Sequence, residues 1–149
     1  GCGKTSLVRV IATVMQLPFY EFNATSLKIE QLRKVFQEHK NTLQKPLIFI
    51  DEVHRLAKNQ QEVLLPVMEK NSAIIMGAST SNPFFSLTPA IRSRSMLFEL
   101  NKIDDESLKL LIEKAHQKVE FSIDADAQKY LVFSSGGDAR AMLKLLEFA

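Results

Sequence analysis

Leu7, Val8, Ile11, Ala12 and Met15 recur at helical spacing behind Thr5, which predicts a helix entered directly from the glycines that open the chain. Phe19 to Phe22 is short and aromatic-rich, the pattern of a strand. Ile29, Leu32, Val35 and Phe36 mark one face of a second amphipathic helix. Leu47-Ile48-Phe49-Ile50 is continuously apolar and stops at Asp51-Glu52, as a strand covered on both faces does. Asn59 followed by Glu62 reads as a capping box opening the helix of Leu64, Leu65 and Met68, and Pro66 predicts a kink in that helix or its early end. Ala73 to Ser79 and Met96 to Leu100 are predicted as two further strands.

From about Asn101 the pattern is helical only. Leu108, Leu111, Ile112, Ala115 and Val119 form one stripe after the acidic start Asp104-Asp105-Glu106. A second helix runs from about Ala125 to Ser134 and stops at Gly136-Gly137, after which Asp138 caps a third bearing Met142, Leu145 and Leu146. The expected organisation is therefore an α/β part over residues 1–100, a parallel sheet with flanking helices, followed by a small all-helical part over 101–149. The chain opens inside a recognisable motif and ends inside an apolar helical pattern, so it is expected to be a fragment cut at both ends.

Composition changes this picture little. With 46% hydrophobic and 24% charged residues, the 149-residue chain has the balance of a globular domain, and no apolar run suggests a membrane span. Cys2 is the only cysteine, which excludes an internal disulfide framework and a structural zinc site. That points to a reducing, cytoplasmic setting. A net charge of +2 gives no electrostatic argument for nucleic acid. Lys28, Arg33, Lys34, Lys40 and Lys45 make a basic surface, but with few interleaved aromatics it reads as a solvated face.

The candidate chemistry sits at the ends of elements. Gly1-Cys2-Gly3-Lys4-Thr5 matches the last five positions of G-x-x-x-x-G-K-[ST], in which backbone N–H groups and a helix N-terminus cradle phosphate. In that reading Lys4 reaches the β- and γ-phosphates of ATP and the Thr5 hydroxyl holds Mg²⁺. Otherwise the segment is a glycine-rich turn before a helix. Asp51 and Glu52 would stand at the C-terminal edge of a parallel sheet, where such sheets bind ligands. Asp51 would bind Mg²⁺ and Glu52 would activate the attacking water; the plain alternative is a solvated acidic turn. Thr80 follows another strand and either orients the water or is a turn residue. Arg92 and Arg94 are solvated on local grounds alone. Arg140 puts a cation into the first turn of a helix, against the dipole, and either a phosphate or Asp138 would offset that. His39, His54 and His116 show no metal-ligand spacing, and His54 reads as a surface histidine at a strand end.

Taken in order, Gly3-Lys4-Thr5, Asp51-Glu52, Thr80, Ser93-Arg94 and Gly137-Asp138-Ala139-Arg140 resemble the Walker A, Walker B, sensor 1, arginine finger and sensor 2 of an AAA+ ATPase. Asp51-Glu52-Val53-His54-Arg55, then Lys58-x-Gln60-Gln61 and Leu65-Pro66, is similar to the RarA/MgsA family and its Werner-helicase-interacting relatives. Gly77-Ala78-Ser79-Thr80-Ser81-Asn82-Pro83 resembles that family's Gly-Ala-Thr-Thr-Glu-Asn-Pro, departing at Ser79 and Ser81. The resemblance implies an oligomeric, DNA-stimulated ATPase of replication-fork maintenance, recombination and repair. It would respond to single-stranded DNA and duplex ends, beside other replication proteins. It further implies that Arg94 acts in trans on the neighbouring subunit's nucleotide and that Arg140 couples the helical lid to hydrolysis. The family's sheet has a central strand before the glycines, between the Ala73–Ser79 strand and the last one. That strand is not in this chain, so the chain by itself is expected to fold poorly and to hydrolyse little ATP. A clamp-loader subunit, a branch-migration motor and a non-hydrolysing nucleotide-binding scaffold are the alternatives. Pro66 and Asn82-Pro83 argue against clamp loading, and intact Glu52, Thr80 and Arg94 against a scaffold.

Overall fold

The structure is a computed structural model that describes residues 1–119 and 121–148. It divides into two compact units, Thr5–Leu97 and a second that gathers Gly1–Lys4 with the chain from Phe98 onward.

The first unit is a parallel three-stranded sheet with helices on both faces. In chain order it contains α1 (Lys4–Val14), β1 (Phe19–Asn23), α2 (Ile29–Glu38), β2 (Leu47–Asp51), α3 (Lys58–Glu69), β3 (Ile74–Gly77) and the short α4 (Pro89–Arg92). The order across the sheet is β1-β2-β3, with Asn23 opposite Asp51 and Ile50 opposite Gly77. The central β2 is the apolar run, and Leu47, Ile48, Phe49 and Ile50 are all completely buried. Its side chains alternate between two cores, as the strand period requires. Leu47 and Phe49 pack with Val8 and Ala12 of α1, while Ile48 and Ile50 pack with Leu32 and Val35 of α2 and Leu64 and Val67 of α3. Burying each such side chain contributes about 1.5–3 kcal/mol, so β2 anchors the unit.

Helix α3 departs from expectation at its start and is not shortened at Pro66. The helix begins at Lys58 with Ala57 as N-cap, not at Asn59. The reason is Gln60, whose Oε1 accepts the Ala57 N–H at 2.7 Å and satisfies the helix entry from inside. The helix runs through Pro66 to Glu69. Gln61, on the next position, is a buried polar residue at 1% exposure. Its Nε2 donates to the carbonyls of Leu56 at 3.0 Å and Ser86 at 3.1 Å, and its Oε1 accepts the Thr88 N–H at 2.8 Å. Gln61 therefore ties the loop before α4 to α3. Gln61→Leu leaves those backbone groups without partners and is expected to destabilise the unit by about 3 kcal/mol, read from the midpoint of denaturant unfolding.

Met96–Leu100 is not a strand. The segment has no regular structure, and Met96 and Phe98 are 82% and 75% exposed. A strand exists only through its ladder to a neighbour. Among the described residues no strand pairs with this segment.

The second unit is helical after Phe98, with α5 (Asp105–His116), α6 (Ala125–Ser135) and α7 (Ala139–Phe148) around Leu108, Ile112, Leu131, Val132 and Met142. Aspartates open all three. Asp104 accepts from Ser107 N at 2.7 Å, Asp124 from Ala127 N at 2.7 Å and Asp138 from Ala141 N at 2.9 Å. The backbone bond from Ser107, aided by its hydroxyl, holds the Asp104 carboxyl below its usual range. Gly136 ends α6 in the left-handed conformation with φ 56°. Gly137 (φ 85°) must stay a glycine for a second reason, because a Cβ there would lie 2.7 Å from the Lys102 Cβ. Val119, assigned to the α5 stripe, lies beyond the helix end and is exposed. Among the described residues no helix is long and apolar enough to cross a membrane.

Candidate functional site

Parallel pairing brings the C-terminal ends of all three strands to one edge of the sheet, and the acidic pair stands there. Asp51 is the last residue of β2 and its Oδ1 accepts the Glu52 N–H at 2.9 Å. Glu52 adopts a left-handed backbone, φ 54° and ψ 40°, unusual for a residue with a side chain. The turn leads into a single 3₁₀ turn over Val53–Arg55 that packs onto the end of β3. There Val53 N–H donates to the Ala78 carbonyl at 2.8 Å. Gly77 permits this approach, since a Cβ at that position would come within 2.9 Å of Val53. The consequence is that Thr80, beyond β3, reaches the acidic pair: its hydroxyl donates to Glu52 Oε2 at 3.4 Å.

Helix α1 presents its start to the same edge. It ends at Val14 and the chain enters β1 at Phe19, so its C-terminus lies at the opposite edge of the sheet. Packed along the sheet through Val8 and Ala12, its 11 residues span about 16 Å, about the length of the strands, and carry Thr5 back to the edge of Asp51. Gly3 turns the chain into the helix with φ 83°. No acidic residue occupies the first turn of α1, whose free N–H groups and dipole are left for an anion. Lys4 sits in that turn, its Nζ 3.5 Å from Cys2 Sγ.

Within the second unit Gly1 lies against Arg140, where a Cβ added to Gly1 would be 3.6 Å from the Arg140 Cβ. Asp138 accepts the Ala141 N–H, and no bond between it and the Arg140 side chain is found among the described residues.

Arg94 lies elsewhere. It follows α4 and donates through Nη2 to Glu69 Oε1 at 2.7 Å and through Nη1 to the Ala90 carbonyl at 3.0 Å. Glu69 is the last residue of α3, whose 12 residues carry the chain about 18 Å away from the Glu52 edge before β3 begins. Arg94 does not join Asp51, Glu52 and Thr80 within its own chain. Arg92 is likewise occupied, donating to the Phe84 carbonyl at 3.1 Å.

Two residues gain roles that local sequence does not reveal. Gln61 is the buried tie described above. His54 is not a solvated surface histidine: its side chain is 19% exposed and lies between Glu52 and Ser79. The i, i+2 spacing from Glu52 is the one signal for it, and that spacing places the two together only because the backbone turns left-handed at Glu52.

Residues 1–102 match the family described as "ATPase family associated with various cellular activities (AAA)". The chain belongs to the AAA family. This AAA chain is 39% identical, over its whole length, to replication-associated recombination protein A of Bacillus subtilis, of which it covers 37%. It is 35% identical, again over its whole length, to the ATPase WRNIP1 of Dictyostelium discoideum, of which it covers 18%. The chain therefore spans well under half the length of these curated relatives. Among solved structures, the Thermotoga maritima RuvB Holliday junction branch migration motor superposes with a TM-score of 0.82 at 26% identity, over 97% of the AAA chain and 49% of RuvB.

Proposed function

We propose that this AAA chain is the ATP-hydrolysing core of a DNA-stimulated motor that maintains replication forks and serves recombination and repair. The observation that carries the reading is the Asp51-Glu52 pair at the C-terminal sheet edge with the Thr80 hydroxyl on Glu52. Glu52 takes a proton from the attacking water, and Thr80 holds the carboxylate in place. The backbone N–H groups of Gly1-Cys2-Gly3 and the α1 N-terminus bind the phosphates, Lys4 neutralises the β- and γ-oxygens, and Arg140 adds a second cation beside the glycines. Thr5 and Asp51 supply the hard oxygen donors Mg²⁺ prefers. Mg²⁺ in nucleotide sites characteristically takes one or two protein ligands together with the phosphates, and Thr5 and Asp51 would hold it so; when bound it would neutralise charge at the transferring phosphoryl group.

The proposal includes a homo-oligomer, as AAA relatives suggest, in which Arg94 serves the neighbouring subunit's site; its engagement by Glu69, away from its own Glu52, is compatible with that role. The DNA and fork-maintenance parts of the proposal rest on the relatives. ATP turnover of the full-length protein, with and without gapped or single-stranded-ended DNA, tests them. Strong stimulation by DNA alone is expected. Turnover indifferent to DNA would move the assignment to a motor driven by a protein partner. The likeness to RuvB keeps a branch-migration motor as the second reading, distinguished by movement of four-way junctions in the same assay.

A further inference from the structure

We propose that single-stranded DNA docks on the turn Pro83–Phe85, its bases stacking on Phe84 and Phe85 and its phosphates meeting Arg55, Lys58 and Arg92. The inference rests on the DNA-stimulated reading above and names the surface that DNA contacts. Phe85 is 91% exposed and Phe84 36%. That exposure does not come from a loose loop. Asn82 Oδ1 accepts the Phe84 N–H at 3.0 Å, and the Pro83 carbonyl accepts the N–H groups of Ser86 and Leu87 at 3.1 and 3.0 Å. Gln61 Nε2 holds the Ser86 carbonyl at 3.1 Å. A turn tied this often keeps its rings in water, and the chain forgoes the burial that such side chains ordinarily gain.

The charges around the rings decide what covers them. Both phenylalanines line an open cavity of about 410 Å³ together with Lys58 and Arg92, and none of its lining residues is acidic. Arg92 donates through Nη1 to the Phe84 carbonyl at 3.1 Å, which fixes its guanidinium beside the turn. The 3₁₀ turn Val53–Arg55 packs against Pro83–Phe85 and adds the exposed Arg55 next to it. Among the described residues Arg55, Lys58 and Arg92 form no ion pair. Adjacent aromatic rings among unpaired cations are what a single strand requires, stacking for its bases and positive charge for its backbone. A protein partner centred on the same rings would bury charge at the middle of the contact, where interfaces are depleted of it. Bases paired inside a duplex are not open to stacking, so the surface selects single strands. The same two segments carry the groups proposed to activate water: Arg55 follows Glu52 by three residues and Phe84 follows Thr80 by four. DNA bound on this turn thus has a short path to the ATP site.

The test is binding of a fluorescein-labelled oligothymidylate to the full-length protein, by anisotropy over a range of salt. ATP turnover, thermal melting and oligomer size are measured on the same preparations. Phe85→Ala is expected to weaken oligothymidylate binding about 5- to 150-fold, the loss of one stacked base, with basal turnover and melting temperature unchanged. The DNA concentration giving half-maximal stimulation should rise by a similar factor. Phe85→Trp is expected to bind as tightly as the unmodified protein. Lys58→Gln is expected to reduce the slope of log affinity against log salt by about 0.7, the loss of one phosphate contact. Undiminished oligothymidylate binding by Phe85→Ala would overturn the inference. So would a Phe85→Ala protein whose oligomer comes apart while its subunits still bind the probe, since the turn would then be a subunit contact. If the unmodified protein neither binds oligothymidylate nor is stimulated by it, the DNA reading itself fails and the inference falls with it.

Discussion

Glu52→Gln is expected to leave ATP binding near normal while hydrolysis falls about 10²- to 10⁴-fold, the range for losing a general base. The substitution keeps shape and the capacity to accept the Thr80 hydroxyl, and removes only the ability to take a proton. Its neighbour Asp51 still accepts the backbone N–H of residue 52, so the left-handed turn should persist. Nucleotide titration and single-turnover hydrolysis on the same preparation separate the two steps. Preserved binding with lost cleavage supports the role. Unchanged cleavage would remove Glu52 as the water-activating group and would leave Thr80 without the catalytic partner proposed for it.

Arg94→Ala is expected to reduce turnover about 10³- to 10⁵-fold with nucleotide still bound, the size of effect an arginine finger supplies. The alternative is that Arg94 only pins α4 to α3 through Glu69. That pair is open to solvent at both ends, with side chains 39% and 52% exposed, and an exposed pair contributes about 0–1 kcal/mol to stability. Loss of the pair alone therefore cannot account for a thousandfold effect. Mixing settles the geometry. A Lys4→Ala subunit has a defective phosphate site but an intact Arg94, so combining it with Arg94→Ala subunits should restore part of the activity. Absence of rescue in mixed oligomers confirmed by sizing would count against action in trans.

Much of this protein is legible in the chain because it depends on short-range pattern. The apolar run Leu47–Ile50 reads as a strand covered on both faces, and the sheet places it at the centre. Helices α1, α2, α5, α6 and α7 follow their apolar spacing, and the aspartates and glycines that bound the last three act within four residues of themselves. The candidate residues Gly3-Lys4-Thr5 and Asp51-Glu52 were visible for the same reason, since a helix start and a strand end are local features.

What only the tertiary structure decided involves partners distant in the chain. Met96–Leu100 has strand composition but no strand, because a ladder needs a neighbour that periodicity cannot supply. Asn59 reads as a cap, yet Gln60 closes the entry to α3, its amide held by a bond from Nε2 to the distant Leu27 carbonyl at 2.7 Å. Gln61 looks like a surface amide and is buried, because three backbone groups from two loops converge on it. His54 has only its i, i+2 spacing from Glu52 as a local sign of its place, which exists because β3 runs beside β2 and brings Ser79 within 2.7 Å of the ring. The separation of Arg94 from Glu52 is likewise a property of the path of α3 across the sheet. The sequence by itself determined most of the helices, the three strands of the sheet and which residues have chemistry to offer. The folded chain decided which of them meet, because proximity between distant residues is set by strand order and helix packing, and neither is written in any local window.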